Sequence, residues 1–236
     1  MTSGATQPAP RERILEAALE LLEEGGAEAV STRAVGARAG VQAPAIYRLF
    51  GDKEGLLQAA VERGYGRWVA AKGDRAPEEA PVDELRAGWR DAIGFGLDHP
   101  ALYRIASARL AESPATAAGR AALGEKIDRV AAAGRLRIGR EQALALVQAA
   151  GRGTTLALLD LPPQQRATDP LATTALEAVV AAVTTDAPQA HDGSVRGAAA
   201  ALQALLPRTA ALGPAERALM AEWLERIAAA QEDGPG

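Results

Sequence analysis

From Ser31 to Lys53 the chain carries four basic side chains, Arg33, Arg38, Arg48 and Lys53, against the single acid Asp52. They flank Gly40, which separates two short helix-length segments, one from Ser31 to about Ala39 and one from about Gln42 to Phe50. Cations gathered around a tight turn between two short helices suit a polyanion, and a DNA phosphate backbone is one that such a turn fits. Helices that cross steeply need a turn residue without Cβ strain, here Gly40, and a small neighbour, here Ala39. The alternative is a generic helical hairpin whose charges are only solvated.

Positioning those residues falls to the flanking elements. Ile14, Ala17, Ala18, Leu21 and Leu22 recur at the spacing of one helix face, and Gly25-Gly26 predicts its end. Ser31 is the expected N-cap of the second helix. Gly51 ends the third and Asp52 can cap a fourth, in which Leu57, Val61, Tyr65 and Trp68 share a face. Val35, Val41, Ile46, Leu49 and Phe50 are spaced to close a small core with the first helix. Gln42, Ala43, Pro44, Ala45, Tyr47 and Arg48 are then left outward, on the helix that would enter a major groove.

The continuous string from Ser31 to Leu57 resembles the DNA-binding domain of the TetR family of transcriptional regulators. The matching places are Thr32-Arg33, Val35-Gly36, Ala39-Gly40-Val41, Tyr47, Phe50, Lys53-Glu54 and Leu56-Leu57, at fixed spacing with no gap. The resemblance covers roughly residues 11–60 and implies a DNA-reading helix-turn-helix. It implies that Thr32, Tyr47 and Lys53 hold phosphates, roles that a hydroxyl, a phenol and an ammonium can fill. Gln42, Ala43 and Pro44 occupy the base-reading segment, Arg48 reaches phosphate or base, and Arg33 belongs to the same DNA-binding set. Gln pairs with adenine N6 and N7, and Ala or Pro touches a thymine methyl. Three departures stand out: Gln42 where the family often has Ser or Thr, Pro44 where Gly is common, and Leu49 in place of a frequent His. The first two alter base readout. Pro44 is tolerable in the first turn of a helix, where its missing N–H costs nothing, and Leu49 is expected to add to the core.

Beyond residue 53 the pattern stays helical. Helices are expected near 82–98, 100–111, 115–134, 139–160, 170–186, 194–206 and 213–231, broken at Pro and Gly. No strand alternation is convincing, so the chain is expected to be all-α. Its organisation would be a disordered arm over 1–9, a three-helix helix-turn-helix domain over 10–52, and a helical domain over 53–236. For the last, the resemblance implies effector binding and dimerisation. Ala143–Gly151 is apolar nearly all round, with only Gln148 polar, and Leu171–Thr185 carries a single charge, Glu177. A helix apolar on every face must be covered on every face, which makes 139–160 and 170–186 candidates for a two-fold interface. The alternative is the central core helix of a monomer.

Only eight aromatics occur, and five of them, Tyr65, Trp68, Trp89, Phe95 and Tyr103, fall within forty residues. They are expected to form either plain core or the wall of a ligand pocket. Candidate pocket residues are Trp68, Trp89, Phe95, Tyr103, Arg152 and Thr155, with His99, Arg104 and Thr154 as further polar groups. Arg152 is open to three readings: reaching solvent, pairing with Glu177 across an interface, or holding an acidic ligand. His99, before Pro100, reads as a helix-end cap.

Composition bounds the rest. Among 236 residues there are 57 Ala, 24 Gly and no Cys, which leans the chain helical and excludes disulfides and thiol chemistry. Two His, His99 and His191, leave little for a metal site. No nucleophile elbow, phosphate loop or dinucleotide fingerprint is present, so neither an enzyme nor a cofactor is expected. No secretory signal or membrane span is visible, and the chain reads as cytoplasmic. The net charge of −4 argues against nucleic acid only if averaged over the chain, because Glu12, Glu16, Glu20, Glu23, Glu24 and Glu28 concentrate acid on the first helix, away from the turn. The expected function is a homodimeric, small-molecule-responsive regulator of double-stranded DNA, most simply a repressor of a palindromic operator. The competing reading is a helical protein–protein adaptor or small-molecule-binding module that does not bind DNA.

Overall fold

The computed structural model describes residues 9–73, 80–109, 113–166, 168–186, 195–209 and 211–229. Helices begin where proline or a capping side chain permits and end where glycine or proline forbids continuation. In order they are α1 (Pro10–Ala29), α2 (Thr32–Ala39), α3 (Ala43–Phe50), α4 (Lys53–Gly73), α5 (Pro81–Asp98), α6 (Pro100–Arg109) and α7 (Pro114–Ala132). They continue as α8 (Arg140–Leu159), α9 (Pro163–Arg166), α10 (Leu171–Val183), α11 (Val195–Leu205) and α12 (Pro214–Ala229). The one-turn α9, which starts on the second of two prolines, was not foreseen. The expected arm before residue 9 and His191 lie outside the described residues. The break expected at Gly25-Gly26 is present: both have non-helical dihedrals, and a last turn follows them before Val30.

The fold is all-α. Among the described residues the only extended pairing is an isolated bridge between Leu136 and Thr184. Arg137 N–H donates to the Val183 carbonyl at 2.8 Å and Thr185 N–H to the Arg135 carbonyl at 2.9 Å. The guanidiniums of Arg135 and Arg137 add bonds to the Thr185 and Thr184 carbonyls. These bonds fix the connection between α7 and α8 against the end of α10.

The chain divides into two compact units, residues 1–75 with 95–119 and residues 76–94 with 120–236. In the first, Ile14, Leu15, Ala18 and Leu22 of α1 are buried with Val35, Ile46, Leu56, Ala60, Val61 and Leu102. Gly64 of α4 lies where a Cβ would come within 2.6 Å of Leu102 and 2.9 Å of Leu19, so α4 passes α1 and α6 on bare backbone. The 52/53 boundary expected from sequence falls at the turn between α3 and α4. The unit runs past it because Leu56, Leu57, Ala60 and Val61 are buried in the same core.

In the second unit α8 packs on α10, with Leu144, Val147, Leu158, Leu176, Val179, Val180 and Val183 buried. A separate small core joins α11 to α12 through Ala199, Leu206, Leu224 and Ala228. Here Gln203 donates to Glu225 at 2.7 Å.

One buried charge has no counterpart in the sequence expectations. Glu84 on α5 is 6% exposed, and it accepts from Lys126 Nζ at 2.8 Å and from Arg129 Nε at 2.7 Å, with a second, short bond from the same guanidinium. Burial works to raise this carboxyl. The bonds from Arg129 and Lys126 outweigh it, so its pKa lies below the ordinary carboxylate value. A carboxyl more acidic in the folded than in the unfolded chain contributes in full above its unfolded pKa, and that contribution is lost as pH falls through the folded value. Glu84→Gln is therefore expected to cost about 2 kcal/mol at neutral pH, the worth of bonds to a charged partner. Thermal unfolding followed by circular dichroism should show the wild type losing this advantage on acidification below the usual carboxylate range, while the variant lacks that component.

Candidate nucleic-acid interface

The turn between α2 and α3 is built from local bonds. Ser31 caps α2 by accepting from Ala34 N–H at 3.1 Å, as its position predicts. Gly40 closes α2 in the left-handed region at φ 66°, where a side chain would be strained. Val41 N–H then reaches back to the Gly36 carbonyl at 3.0 Å. A Cβ on Gly36 would stand 2.9 Å from the Val41 carbonyl oxygen, so the helices can close only over a glycine. Gln42 occupies the N-cap of α3 without a side-chain cap bond, which leaves its amide free to face outward, and Pro44 sits in the first turn. Gly51, at φ 80°, ends α3, and Asp52 caps α4 by accepting from Gly55 N–H at 2.7 Å.

Ile46 is fully buried and Phe50 packs partly buried against the same core. That sets which face of α3 is presented. Gln42, Pro44, Tyr47 and Arg48 are exposed, as are Arg33 on α2 and Lys53 at the start of α4, while Thr32 and Ala43 are half-buried. Tyr47 stands 52% exposed, a large share for an aromatic ring. Leu49 corrects the expectation that it adds to the core: it is 41% exposed, because it lies about 100° around α3 from Phe50.

The charge pattern also needs one correction. Arg38, counted with the basic patch, is turned away from it: it bonds Glu24 at 2.7 and 2.9 Å and lies 3.6 Å from Glu20, both on α1. The Glu24 carboxyl is held below its ordinary pKa by that bond. Arg63 and Arg67 of α4 pair likewise with Glu12 and Glu16 at 2.6 and 2.8 Å. Much of the acid on α1 is thus neutralised within the unit. Among the described residues Arg33, Arg48 and Lys53 form no ion pair, and they are the cations free to meet phosphate.

The candidate pocket residues fall in different places. Trp68 and Phe95 stack at 4.4 Å between centroids, with Tyr65 against both and the His99 ring 5.0 Å from Phe95, all in the first unit. Tyr103 packs half-buried against the same core. His99 Nδ1 lies 2.9 Å from a Glu23 carboxylate oxygen, so it joins the start of α6 to α1. Trp89 belongs to the second unit, 6% exposed, with its six-membered ring over Gly151. The Thr155 hydroxyl donates to the Gly151 carbonyl at 2.8 Å, and Thr154 beside it is buried. Arg152 is exposed on α8. Its expected partner Glu177 is already held by Arg86 at 3.1 and 3.2 Å.

Residues 14–60 match the family described as bacterial regulatory proteins, tetR family. The likeness to that family runs from α1 to the start of α4 and leaves most of the chain outside it. Over 84 residues the chain is 38% identical to the HTH-type transcriptional repressor KstR of Rhodococcus jostii, covering 36% of this chain and 39% of that one. It spans between about a quarter and about half the length of the curated relatives it matches. Among solved structures it resembles SmeT, the repressor of the Stenotrophomonas maltophilia multidrug efflux pump SmeDEF, with a TM-score of 0.54 and 24% identity over 78% of this chain and 95% of that one. A TetR-family regulator structure from Shewanella sp. PV-4 matches with a TM-score of 0.53 and 18% identity, over 75% and 100% of the two chains. These two structures support the all-helical fold well beyond the segment matched by sequence.

The turn makes a direct prediction. Gly40→Ala should cost about 1–2 kcal/mol from left-handed strain alone. Gly36→Ala should act differently, by pushing Val41 and tilting α3. Urea unfolding should register both changes, and binding to DNA should fall further for Gly36→Ala than its loss of stability accounts for.

Proposed function

We propose that this chain is a TetR-family, ligand-responsive transcriptional repressor that reads a palindromic operator as a homodimer. The observation that carries the proposal is the outward face of α3: Gln42, Pro44, Tyr47 and Arg48 exposed on a helix whose other face is anchored by Ile46, with Arg33 and Lys53 unpaired beside it. In this reading Thr32, Tyr47 and Lys53 hold phosphates and set the register, while Gln42, Ala43 and Pro44 meet base edges. The domain for this work is residues 10–52 with the start of α4. The remainder binds effector and partner subunit, and the protein acts in the cytoplasm without enzymatic activity. Among the described residues no helix is long and apolar enough to cross a membrane.

Dimerisation is supported by the faces that α8 and α10 leave uncovered. Ala145, Leu146, Ala149, Gly153 and Ala157 are exposed along α8, and Thr174, Ala178, Ala181 and Ala182 along α10. Small residues at i, i+3 and i+4 permit close helix approach, and a second copy would cover them. Two recognition helices about 34 Å apart, or a multiple of that, would then match half-sites one turn apart. An effector would lower affinity by favouring a state in which that spacing is wrong, which requires unequal binding to the two states.

Lys53→Ala and Tyr47→Phe should weaken binding to all duplexes alike, and Lys53→Ala should reduce the salt slope by about one unit. Gln42→Ala should instead change which sequences are selected from a random pool. Binding indifferent to all three would leave the adaptor reading standing. Replacing Ala149 or Ala178 by Glu should shift sedimentation from dimer to monomer and abolish operator binding with α3 untouched. A dimer unaffected by both would place the interface elsewhere.

A further inference from the structure

Six of the ten large apolar side chains that stand exposed among the described residues lie on α11 and α12. They are Val195, Leu202 and Leu205 on the first helix and Leu219, Trp223 and Ile227 on the second. At about 100° per residue each trio falls within about 80° of its helix's circumference, so each forms a stripe. The small core that joins the two helices uses other faces, through Ala199, Leu224 and Ala228.

Arg196 Nε donates to the Ala228 carbonyl and Gln203 to the Glu225 carboxylate, so α11 and α12 run antiparallel. Each stripe is turned by about 120°, in the same rotational sense, from the residues that face the other helix. In an antiparallel pair, equal turns bring both stripes to one side of the hairpin. The opposite side meets the start of α8. A Cβ on Gly139 would come 3.2 Å from the Glu225 carboxylate and 3.9 Å from Ala228. Those two residues lie about 140–160° around α12 from Trp223. The hairpin thus has one covered side and one apolar side open to water.

Size and charge define what fits that side. Trp223 is 50% exposed and Val195 67%. With the other four they present on the order of 500 Å² of apolar surface, the upper end of what a soluble protein leaves bare. A standard interface takes about 800 Å² from each partner, so this one suits weak, reversible pairing. Glu222 and Arg226, both exposed and 3.9 Å apart, edge the same flank of the α12 stripe. Two such stripes packed antiparallel about a two-fold axis bring the Trp223 rings together and set each Glu222 beside the Arg226 of the other copy. Glu216, one turn before Leu219, is engaged by Gly213 N–H at 2.7 Å. The face is therefore complementary to itself in charge as well as apolar.

We propose that the α11–α12 face pairs with the same face of a second copy, separately from the α8–α10 faces, so that two operator-binding dimers associate and occupy neighbouring operators cooperatively. This rests on the dimeric reading above and adds a second, weaker association.

Sedimentation of the full chain across a micromolar concentration series tests this. The wild type should pass from dimer to tetramer as concentration rises. Trp223→Ser, at an exposed position, should weaken that step at least about thirtyfold, the loss of a central aromatic anchor. It should leave the dimer and its affinity for a single selected duplex unchanged. Glu222→Arg and Arg226→Glu should each weaken pairing several-fold by opposing like charges. An equimolar mixture of the two should restore it, because the mixed faces are again complementary, and a merely sticky surface gives no such restoration. On a duplex carrying two selected sites, occupancy should be cooperative for the wild type and independent for Trp223→Ser. A chain that stays dimeric at every concentration, as when the face serves a different protein, would overturn the proposal. So would a dimer that Trp223→Ser splits into monomers, because the face would then belong to the first interface. Ala149→Glu separates the two readings. If it abolishes operator binding while its monomers still pair at high concentration, and Trp223→Ser in the same chain stops that pairing, both stand. If the dimer and operator binding survive Ala149→Glu while Trp223→Ser removes the tetramer, the α8–α10 interface falls and the hairpin face stands.

Discussion

The turn between α2 and α3 depends on the bond from Val41 N–H to the Gly36 carbonyl. At 3.0 Å it ties the turn residue that leads into α3 back to the middle of α2, and two glycines make it possible for separate reasons. Gly40 reverses the chain through a left-handed conformation, while Gly36 removes the Cβ that would strike the Val41 carbonyl. Once that crossing is fixed, Ile46 is the residue of α3 that points into the core. The faces of Tyr47, Arg48 and Gln42 then follow from helical geometry. Specificity in such a domain is a matter of placing a few side chains within hydrogen-bond reach of base edges. A rigid turn does this better than any number of surface cations.

Local rules carry most of the chain's legibility. Helix boundaries at Gly25-Gly26, Gly40, Gly51, Pro100, Pro114 and Pro214 were readable because proline and glycine act within a few residues. The caps at Ser31 and Asp52 were readable for the same reason. What escaped was decided at long range. Arg38 looks in sequence like its neighbour Arg33, yet it turns back to Glu24 because α2 crosses α1 there. Leu49 looks like core, but only the docking angle of α3 decides which of two adjacent apolar residues is covered. Glu84 reads as an ordinary surface acid at the start of a helix. Its burial depends on Lys126 and Arg129, more than forty positions away. The five clustered aromatics are the clearest instance: proximity in sequence suggested one group, while Trp89 belongs to a different compact unit from Tyr65, Trp68 and Phe95.

The second unit uses alanine and glycine differently from the first. Where α4 passes α1 and α6, Gly64 leaves the room that the Leu102 and Leu19 methyls fill. On α8 and α10 the small residues instead face outward, leaving shallow apolar surface with few charges. Exposed alanines contribute helix propensity wherever they stand along a helix. Shape is what they add, because two such faces can approach closely over a long contact.

Charge follows the same division between what is engaged and what is left free. The chain as a whole is acidic, at −4. On α1, however, Glu12, Glu16, Glu20 and Glu24 face arginines from α2 and α4. A pair of opposite charges a few ångströms apart presents little net field beyond the screening length of about 8 Å at physiological salt. Among the described residues Arg33, Arg48 and Lys53 form no such pair, so their field is not cancelled at short range. Those pairs on α1 also serve the fold by fixing α2 and α4 against it. The acid that lowers the overall charge is therefore part of the frame that leaves those three cations turned outward.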